Sequence, residues 1–179
     1  MKCYDWAVMD KAIFPKRYSN HQWGAFAELL AKHGTEVLVD TRTNPVSRYP
    51  SWANATKLKD MLGQSGVDYA FMGDSLGGKP SDGSCYRADG RPDYREIRTR
   101  EFFRDGIDTL LEITENKTVS LMCAVKDPSK CHRRLLIEPA LLDRDIDLRH
   151  VRGDGTVATA STLGSKKAYR EQLQGTFTP

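Results

Sequence analysis

A chain of 179 residues that is 39% hydrophobic can bury one core but is too short for a second full domain, so we expect a single domain. Its net charge of +3, from 27 basic and 24 acidic residues, excludes a polycation that coats nucleic acid, although a local basic patch stays open. No apolar run approaches about 18 residues and the amino terminus has no signal-type apolar region, which predicts a cytoplasmic protein with no membrane partner. Four cysteines do not make a disulfide scaffold, so reduced thiols are expected.

Hydrophobic periodicity and turn residues predict an alternation of helices and strands along the chain. The first 17 residues show no sustained period and indicate an irregular lead-in or a short strand. The predicted helices cover residues 23–33, 99–115 and 166–174. Another is capped by Asn54 or Thr56 and ended by Gly63 or Gly66, and a further one starts near Pro128 and is kinked or broken at Pro139. The predicted strands cover residues 36–40, 67–72, 119–122 and 147–152, the last as an edge strand. Residues 73–98 are too polar for an ordinary connection and are interpreted as a lid or binding loop.

This alternation predicts an α/β fold with a mostly parallel sheet flanked by helices, a Rossmann-like arrangement of three layers. Ligands of such sheets bind at the carboxyl ends of the strands. The loops that follow Asp40, Met72 and Met122 should therefore share one rim, and we expect any active site to lie there.

Two thiols, an imidazole and two guanidinium groups are concentrated around the turn that follows residues 119–122. Cys123 lies at the predicted strand end, whereas Cys131 and His132 fall near the first turn of the next helix, where a thiolate or a bound anion is favoured. Cys123, Cys131 and His132 are candidate catalytic residues, and Asp40 is a candidate general base. Buried structural thiols, a reversible disulfide and a zinc site completed by Cys85 or His150 are alternatives, but the sequence requires no cofactor.

Cationic and glycine-rich positions near the same predicted rim suggest an anion-binding pocket. The candidate anion-binding or substrate-binding residues are Arg42, Ser47, Arg48, Gly77, Gly78, Lys79 and Arg133. A structural pair of Asp40 with Arg42 and a solvated basic surface are the alternatives. The segment from Leu76 to Lys79 lacks the spacing of a P-loop, so its glycines do not indicate a nucleotide on their own.

An ordered set of motifs resembles the conserved uncharacterised family catalogued as domain of unknown function 488 (DUF488). The motifs are Tyr18-Ser-Asn-His21, Val39-Asp-Thr-Arg42 with Pro45 and Ser47-Arg48, Gly73 to Gly78, and Leu121-Met-Cys-Ala124 through Asp127-Pro128 to Cys131-His-Arg133. The resemblance spans roughly residues 18–155, with 1–17 as a divergent lead-in and 156–179 as a tail, and it implies a compact α/β protein without an established activity. The chain departs from the family pattern at 12–17, where a strand ending in Thr-Ile-Gly is usual, and at Val125, where an acidic residue is often found.

These observations favour an enzyme or sensor that binds a phosphorylated small molecule, a nucleotide or a nucleic-acid end. A nucleic-acid or protein binding module without chemistry is the first alternative. The second is a Cys-dependent sulfur-transfer or redox protein, since Cys123 is placed like the nucleophile of rhodanese-like sulfurtransferases and Cys-dependent phosphatases. In those families an Arg follows about six residues on, whereas here the nearest is Arg133, ten positions after Cys123. Whether the protein is an enzyme at all stays open at this point.

Overall fold

The strands form a single sheet that is parallel throughout except at its last member. In the computed structural model the described residues are 23–47, 49–123 and 131–146, together with the backbone of 10–12, 149–151 and 157–159. The strands of this described part are β1 (Asp10–Ala12), β2 (Val37–Asp40), β3 (Asp68–Phe71), β4 (Val119–Met122), β5 (Arg149–Val151) and β6 (Val157–Thr159). Their order is β3-β2-β4-β1-β5-β6, and only the β5–β6 pair of this sheet is antiparallel.

Helices connect the parallel strands, as crossover connections require. They are α1 (Trp23–Lys32), α2 (Ala55–Gln64), α3 (Gly73–Leu76), α4 (Tyr94–Thr99), α5 (Glu101–Thr114) and α6 (Glu138–Leu142). A π-helical segment, Arg133–Ile137, runs directly into α6, and short 3-10 turns occupy Ser51–Ala53 and Gly83–Cys85. None of the described helices is long and apolar enough to cross a membrane.

Each face of the sheet is covered by its own group of helices. Side chains from α1 and α2 pack with Leu38 and Met122 on one face, and the buried members there include Phe26, Leu30, Leu58 and Leu62. Helices α3 to α6 cover the opposite face, where Val37, Val39 and Leu121 meet Leu76, Ile97, Phe103, Ile107, Leu110 and Leu141. Burying each large apolar side chain contributes about 1.5–3 kcal/mol to the free energy of unfolding, so the helices on both faces stabilise the fold. The predicted α/β fold, a mostly parallel sheet flanked by helices in one domain, is confirmed.

Several boundaries predicted from the sequence are confirmed by the structure. Helix α1 ends just before Gly34, which has a φ of 61° that a side chain would strain. Asn54 precedes α2 as its N-cap, although its side chain bonds the backbone of Ser47 instead of the helix. The predicted break near Pro139 is the change from the π-helical segment to α6, with Pro139 in the first turn where its missing N–H costs little.

Other expectations are wrong, and long-range contacts explain why. Residues 149–151 are not an edge strand, because β6 pairs with them on the outer side. Residues 73–98 are no simple lid, since they form α3, a 3-10 turn and α4 and place Leu76, Cys85 and Ile97 in the core. The short strand, one of the two expectations for the lead-in, is present as β1, which pairs with β4 and β5. The predicted final helix over 166–174 and the helix start at 127–128 lie outside the described residues.

Candidate functional site

The carboxyl ends of three neighbouring strands meet at one level of the sheet. Asp40 at the end of β2 is in register with Phe71 of β3 on one side and with Met122 of β4 on the other. The predicted common rim is therefore present in the structure. Thr41 and Cys123 are the first residues beyond it on β2 and β4, and the Thr41 N–H donates to the Met122 carbonyl at 3.0 Å.

Two thiols and one imidazole lie together beyond the end of β4. The Cys131 Sγ donates to the Cys123 Sγ at 3.5 Å, and the Cys123 Sγ lies 3.4 Å from His132 Nδ1. One donor atom from each of these three residues falls within 4.8 Å of the other two, and all three side chains are buried. We call this group the Cys-Cys-His cluster. Its atoms are close enough for proton transfer, for disulfide formation or for joint coordination of a metal ion.

The orientation of His132 follows from the partners of its other nitrogen. Nε2 lies 3.0 Å from the Thr41 carbonyl oxygen and 3.2 Å from Thr41 Oγ1. The carbonyl can only accept, and the Thr41 hydroxyl donates its proton to the Met122 carbonyl at 2.8 Å, so Nε2 carries the hydrogen. In the neutral ring Nδ1 then presents its lone pair to Cys123, which is the arrangement of a general base beside a nucleophile.

Gly78 lies directly against the imidazole of His132. A Cβ built on Gly78 would come within 2.7 Å of His132 Cβ and 2.8 Å of its Cγ. A side chain at position 78 would therefore force His132 or the backbone of Gly78 to move. The absence of a side chain at Gly78 thus contributes to the placement of His132.

A fully buried guanidinium, that of Arg133, donates a hydrogen bond to the Cys131 sulfur. Arg133 is 1% exposed, and it donates from Nε to Cys131 Sγ at 3.3 Å and from Nη1 to the Leu121 carbonyl at 2.8 Å. Burial acts to lower the pKa of Arg133, but the charges of Cys131 and Cys123 outweigh it and raise the pKa. The hydrogen bond to Cys123, followed by burial, raises the pKa of Cys131 to about 12. Cys131 therefore keeps its proton near neutral pH and donates it toward Cys123.

The phenol of Tyr94 is electrostatically coupled to the same cluster. Burial raises the pKa of Tyr94 to about 12, and the charges of Cys131 and Cys123 add to that effect. Tyr94 begins α4, so the helix that the sequence pattern missed carries a residue whose protonation responds to the two sulfurs. The phenol stays neutral at physiological pH.

Asp40 and Arg42 form a buried ion pair on the other face of the sheet. Arg42 donates to Asp40 from Nε at 2.8 Å and from Nη2 at 2.6 Å, and its Nη1 bonds the Ala53 carbonyl at 2.8 Å. The Tyr69 hydroxyl also donates to Asp40, at 2.9 Å. Burial, and then the Asp40 carboxylate, raise the pKa of Tyr69, which remains a donor. Asp40 shares a face of the sheet with Leu38, which packs with α1 and α2, whereas the alternation along β4 places Cys123 on the face of Leu121, which packs with the other helices.

The structure thus separates the predicted catalytic residues into two groups. Cys123, Cys131 and His132 come together as expected, while the Asp40 carboxylate points into a structural pair across the sheet. The separation of Asp40 from the cluster follows from the alternation of side chains along residues 38–41. Leu38 and Asp40 share one face of the sheet, and Val39 and Thr41 share the opposite face. Thr41 was not among the predicted site residues, although the same alternation would have identified it.

The predicted anion-binding residues are dispersed over several environments. Ser47 is buried, with its backbone bound to the Asn54 side chain, whereas the Lys79 side chain is exposed. Gly77 allows a close approach, since a Cβ there would lie 2.1 Å from the Gly73 carbonyl oxygen. Arg48 lies outside the described residues. Their role in binding an anion stays a prediction.

Comparisons with known proteins identify a family and no characterised relative. No curated protein and no solved structure matches the chain. A family model described as Domain of unknown function DUF488 matches residues 22–140, somewhat less than the span suggested by the sequence motifs. The match includes β2, β3, β4 and the whole Cys-Cys-His cluster, and it covers well over half of the chain. The chain therefore belongs to the DUF488 family.

Proposed function

We propose that the protein is a thiol–disulfide oxidoreductase in which Cys123 attacks a disulfide substrate and Cys131 resolves the intermediate. The observation that carries the proposal is that the Cys123 sulfur contacts both of its partners in the cluster, with Cys131 Sγ at 3.5 Å and His132 Nδ1 at 3.4 Å. A nucleophile beside a base, with the base oriented by a third group, is the usual arrangement of a reactive thiol.

The two thiols differ in their surroundings, which assigns their roles. Cys123 is 6% exposed and contacts the imidazole, whereas Cys131 is 0% exposed and lies behind it against Arg133. A substrate that reaches the rim meets the Cys123 sulfur first. Within the described part of the chain, the Cys131 sulfur contacts the Cys123 sulfur, so it is placed to act in the second step.

The reaction balances without a cofactor. His132 accepts the Cys123 proton, and the Cys123 sulfur attacks one sulfur of the substrate disulfide, so that a mixed disulfide forms and the first substrate thiol leaves with that proton. The Cys131 sulfur then attacks Cys123, gives up its own proton to the second departing thiol and closes the Cys123–Cys131 disulfide. The substrate gains two electrons and the protein loses two. A dithiol reductant returns the protein to its starting state, in keeping with the cytoplasmic location predicted from the sequence.

The dispositions of the cations favour this proposal over the anion-binding hypothesis. The Arg42 guanidinium bonds Asp40 and a carbonyl, and that of Arg133 bonds a sulfur and a carbonyl inside the protein. Both guanidinium groups are thus engaged by protein atoms and do not present an edge for bidentate binding of an anion at the rim. Binding of a phosphorylated molecule, a nucleotide or a nucleic acid stays a prediction that would need residues such as Arg48.

The test uses an aromatic disulfide that releases a coloured thiolate, added to the reduced full-length chain near neutral pH. The wild type should release two thiolates from this site and retain no adduct, because Cys131 displaces the first one bound. The Cys131→Ser variant should release one and keep the adduct on Cys123, and Cys123→Ser should release none there. Mass spectrometry of peptides distinguishes these sites from Cys3 and Cys85.

The rate at which Cys123 reacts with the disulfide probe tests whether His132 activates its thiol. Cys123 should react at least about tenfold faster than a free cysteine, and His132→Gln should remove that advantage, since a positioned base contributes about 10²-fold or more. Cys85→Ala is the matched control, because Cys85 is a buried thiol outside the cluster. Reaction of Cys123 at the rate of Cys85, or identical stoichiometry in wild type and Cys131→Ser, would refute the proposal.

A further inference from the structure

The Cys-Cys-His cluster has the dimensions of a metal site. A tetrahedral zinc ion with Zn–S bonds of about 2.3 Å and Zn–N bonds of about 2.0 Å separates two sulfur ligands by roughly 3.8 Å and a sulfur from a nitrogen by roughly 3.5 Å. The corresponding distances are 3.5 Å between the Cys131 and Cys123 sulfurs and 3.4 Å from Cys123 Sγ to His132 Nδ1. These two pairs match a tetrahedral ion to within a few tenths of an ångström. The third pair, the Cys131 sulfur and the His132 nitrogen, lies within 4.8 Å, so closing around an ion requires these two atoms to approach by up to about 1.3 Å.

The hydrogen bonds around the cluster prepare its donors for coordination. His132 Nε2 is fixed on the Thr41 carbonyl at 3.0 Å, which leaves the Nδ1 lone pair directed at the cluster. A ligating histidine usually binds a carbonyl through its second nitrogen in this way. Arg133 donates to the Cys131 sulfur at 3.3 Å. A metal ion would displace the proton that this thiol otherwise keeps, and the adjacent guanidinium would then stabilise the coordinating thiolate.

The number and type of donors indicate which ions would bind. Among the described residues, no fourth His, Cys, Asp or Glu joins the group. The predicted fourth ligand Cys85 packs in the core instead, and only the backbone of His150 is described. Three protein ligands leave one position open, as in catalytic zinc sites, and two thiolates with an imidazole select a soft ion over Mg²⁺ or Ca²⁺.

We propose that reduced Cys123, Cys131 and His132 bind a zinc-like divalent cation, with an open fourth position at the rim. Two thiolates balance the charge of the ion, and burial of the cluster protects the bonds from water. The proposal requires the reduced thiols of the proposed function but not their exchange chemistry. A bound ion would occupy both sulfurs, so the metal-loaded protein should not react with a disulfide.

The test measures metal binding by the reduced full-length chain, with Co²⁺ as a spectroscopic probe and Zn²⁺ in competition with a chromophoric chelator. We expect stoichiometric binding, the ligand-field bands of a tetrahedral site and sulfur-to-cobalt charge transfer that Zn²⁺ abolishes. Cys123→Ser, Cys131→Ser and His132→Gln should each weaken binding at least tenfold. Cys85→Ala and Cys3→Ala should bind as the wild type does, and oxidation of the thiol pair should prevent binding.

The metal-binding assay and the disulfide-exchange assay test the two proposals independently. Absence of charge transfer in the wild type, or equal affinity in Cys131→Ser, overturns the metal site whatever the exchange assay gives. Metal binding without release of two thiolates from the disulfide probe supports the site and refutes the oxidoreductase. If circular dichroism shows that a serine variant does not fold, the wild type alone is measured before and after oxidation of the thiol pair. Retention of the metal after oxidation would contradict ligation by both thiols.

Discussion

Substitution of Gly78 by Ala tests the placement of His132 without removing any reactive group. The added Cβ would lie 2.7 Å from His132 Cβ, which is about 0.7 Å short of the 3.4 Å at which ordinary contact begins. The φ of Gly78 is not in the positive range, so the substitution strains the chain through this contact alone. To relieve it, the imidazole must shift away, and its 3.4 Å contact with Cys123 lengthens toward about 4 Å.

Two quantities should change in Gly78→Ala. Overpacking of this kind costs about 1–3 kcal/mol, which urea denaturation would detect as a lower free energy of unfolding. A misplacement of up to about 1 Å between a base and its nucleophile can cost up to about 10²-fold in rate. We therefore expect the reaction of Cys123 with the disulfide probe to slow by roughly 10-fold to 100-fold.

Gly83→Ala is the matched control, because a Cβ at Gly83 meets nothing within 4 Å and the backbone is not in the positive φ range. It should react at the wild-type rate and unfold at the same urea concentration. If Gly78→Ala reacted as fast as Gly83→Ala while unfolding normally, the contact between Gly78 and the imidazole would not set the position of the base.

Three further predictions concern stability. Asp40→Asn should lower the free energy of unfolding by about 3–5 kcal/mol in urea denaturation, because it leaves the charge of Arg42 buried, and replacing both residues by apolar ones should cost less. Phe103→Ala, at a side chain that is 1% exposed, should cost about 3–5 kcal/mol in the same assay, and a loss below about 1 kcal/mol would contradict its place in the core. Oxidation of Cys123 and Cys131 to a disulfide should stabilise the chain by about 2.5 kcal/mol through closure of a short loop, measured as a higher urea midpoint that a reductant reverses.

The rim could be predicted from the sequence because its signals are local. Residues 37–40 and 119–122 are short apolar runs, and the polar residues that follow each run mark strand ends. In a parallel sheet such ends fall on one side, so the meeting of Cys123 with residues near Asp40 follows from topology. The spacing of Cys123, Cys131 and His132 around one turn then made their contact a reasonable expectation.

The remaining features depend on contacts that no local pattern contains. Leu76, Cys85 and Ile97 are far apart within a polar stretch, so no periodicity revealed that all three enter the core. The inner position of β5 depends on pairing with β6, a strand too short to predict by itself. The separation of Asp40 from the thiols follows from the alternation of side chains along β2, whereas a shared strand end predicts only that these residues lie near one rim.

Thr41 connects the two faces of the rim and explains why both groups of polar residues lie at one strand end. Its N–H and hydroxyl both donate to the Met122 carbonyl, which fixes the end of β2 against the end of β4, and its own carbonyl accepts from His132. The pair of Asp40 and Arg42 holds the same segment from the opposite face. A slip of one residue between the strands would turn Thr41 away from His132 and leave the imidazole without its acceptor, because successive side chains and peptide groups alternate in direction. Strand register at the rim therefore sets the position of the base, and through it the chemistry available to Cys123.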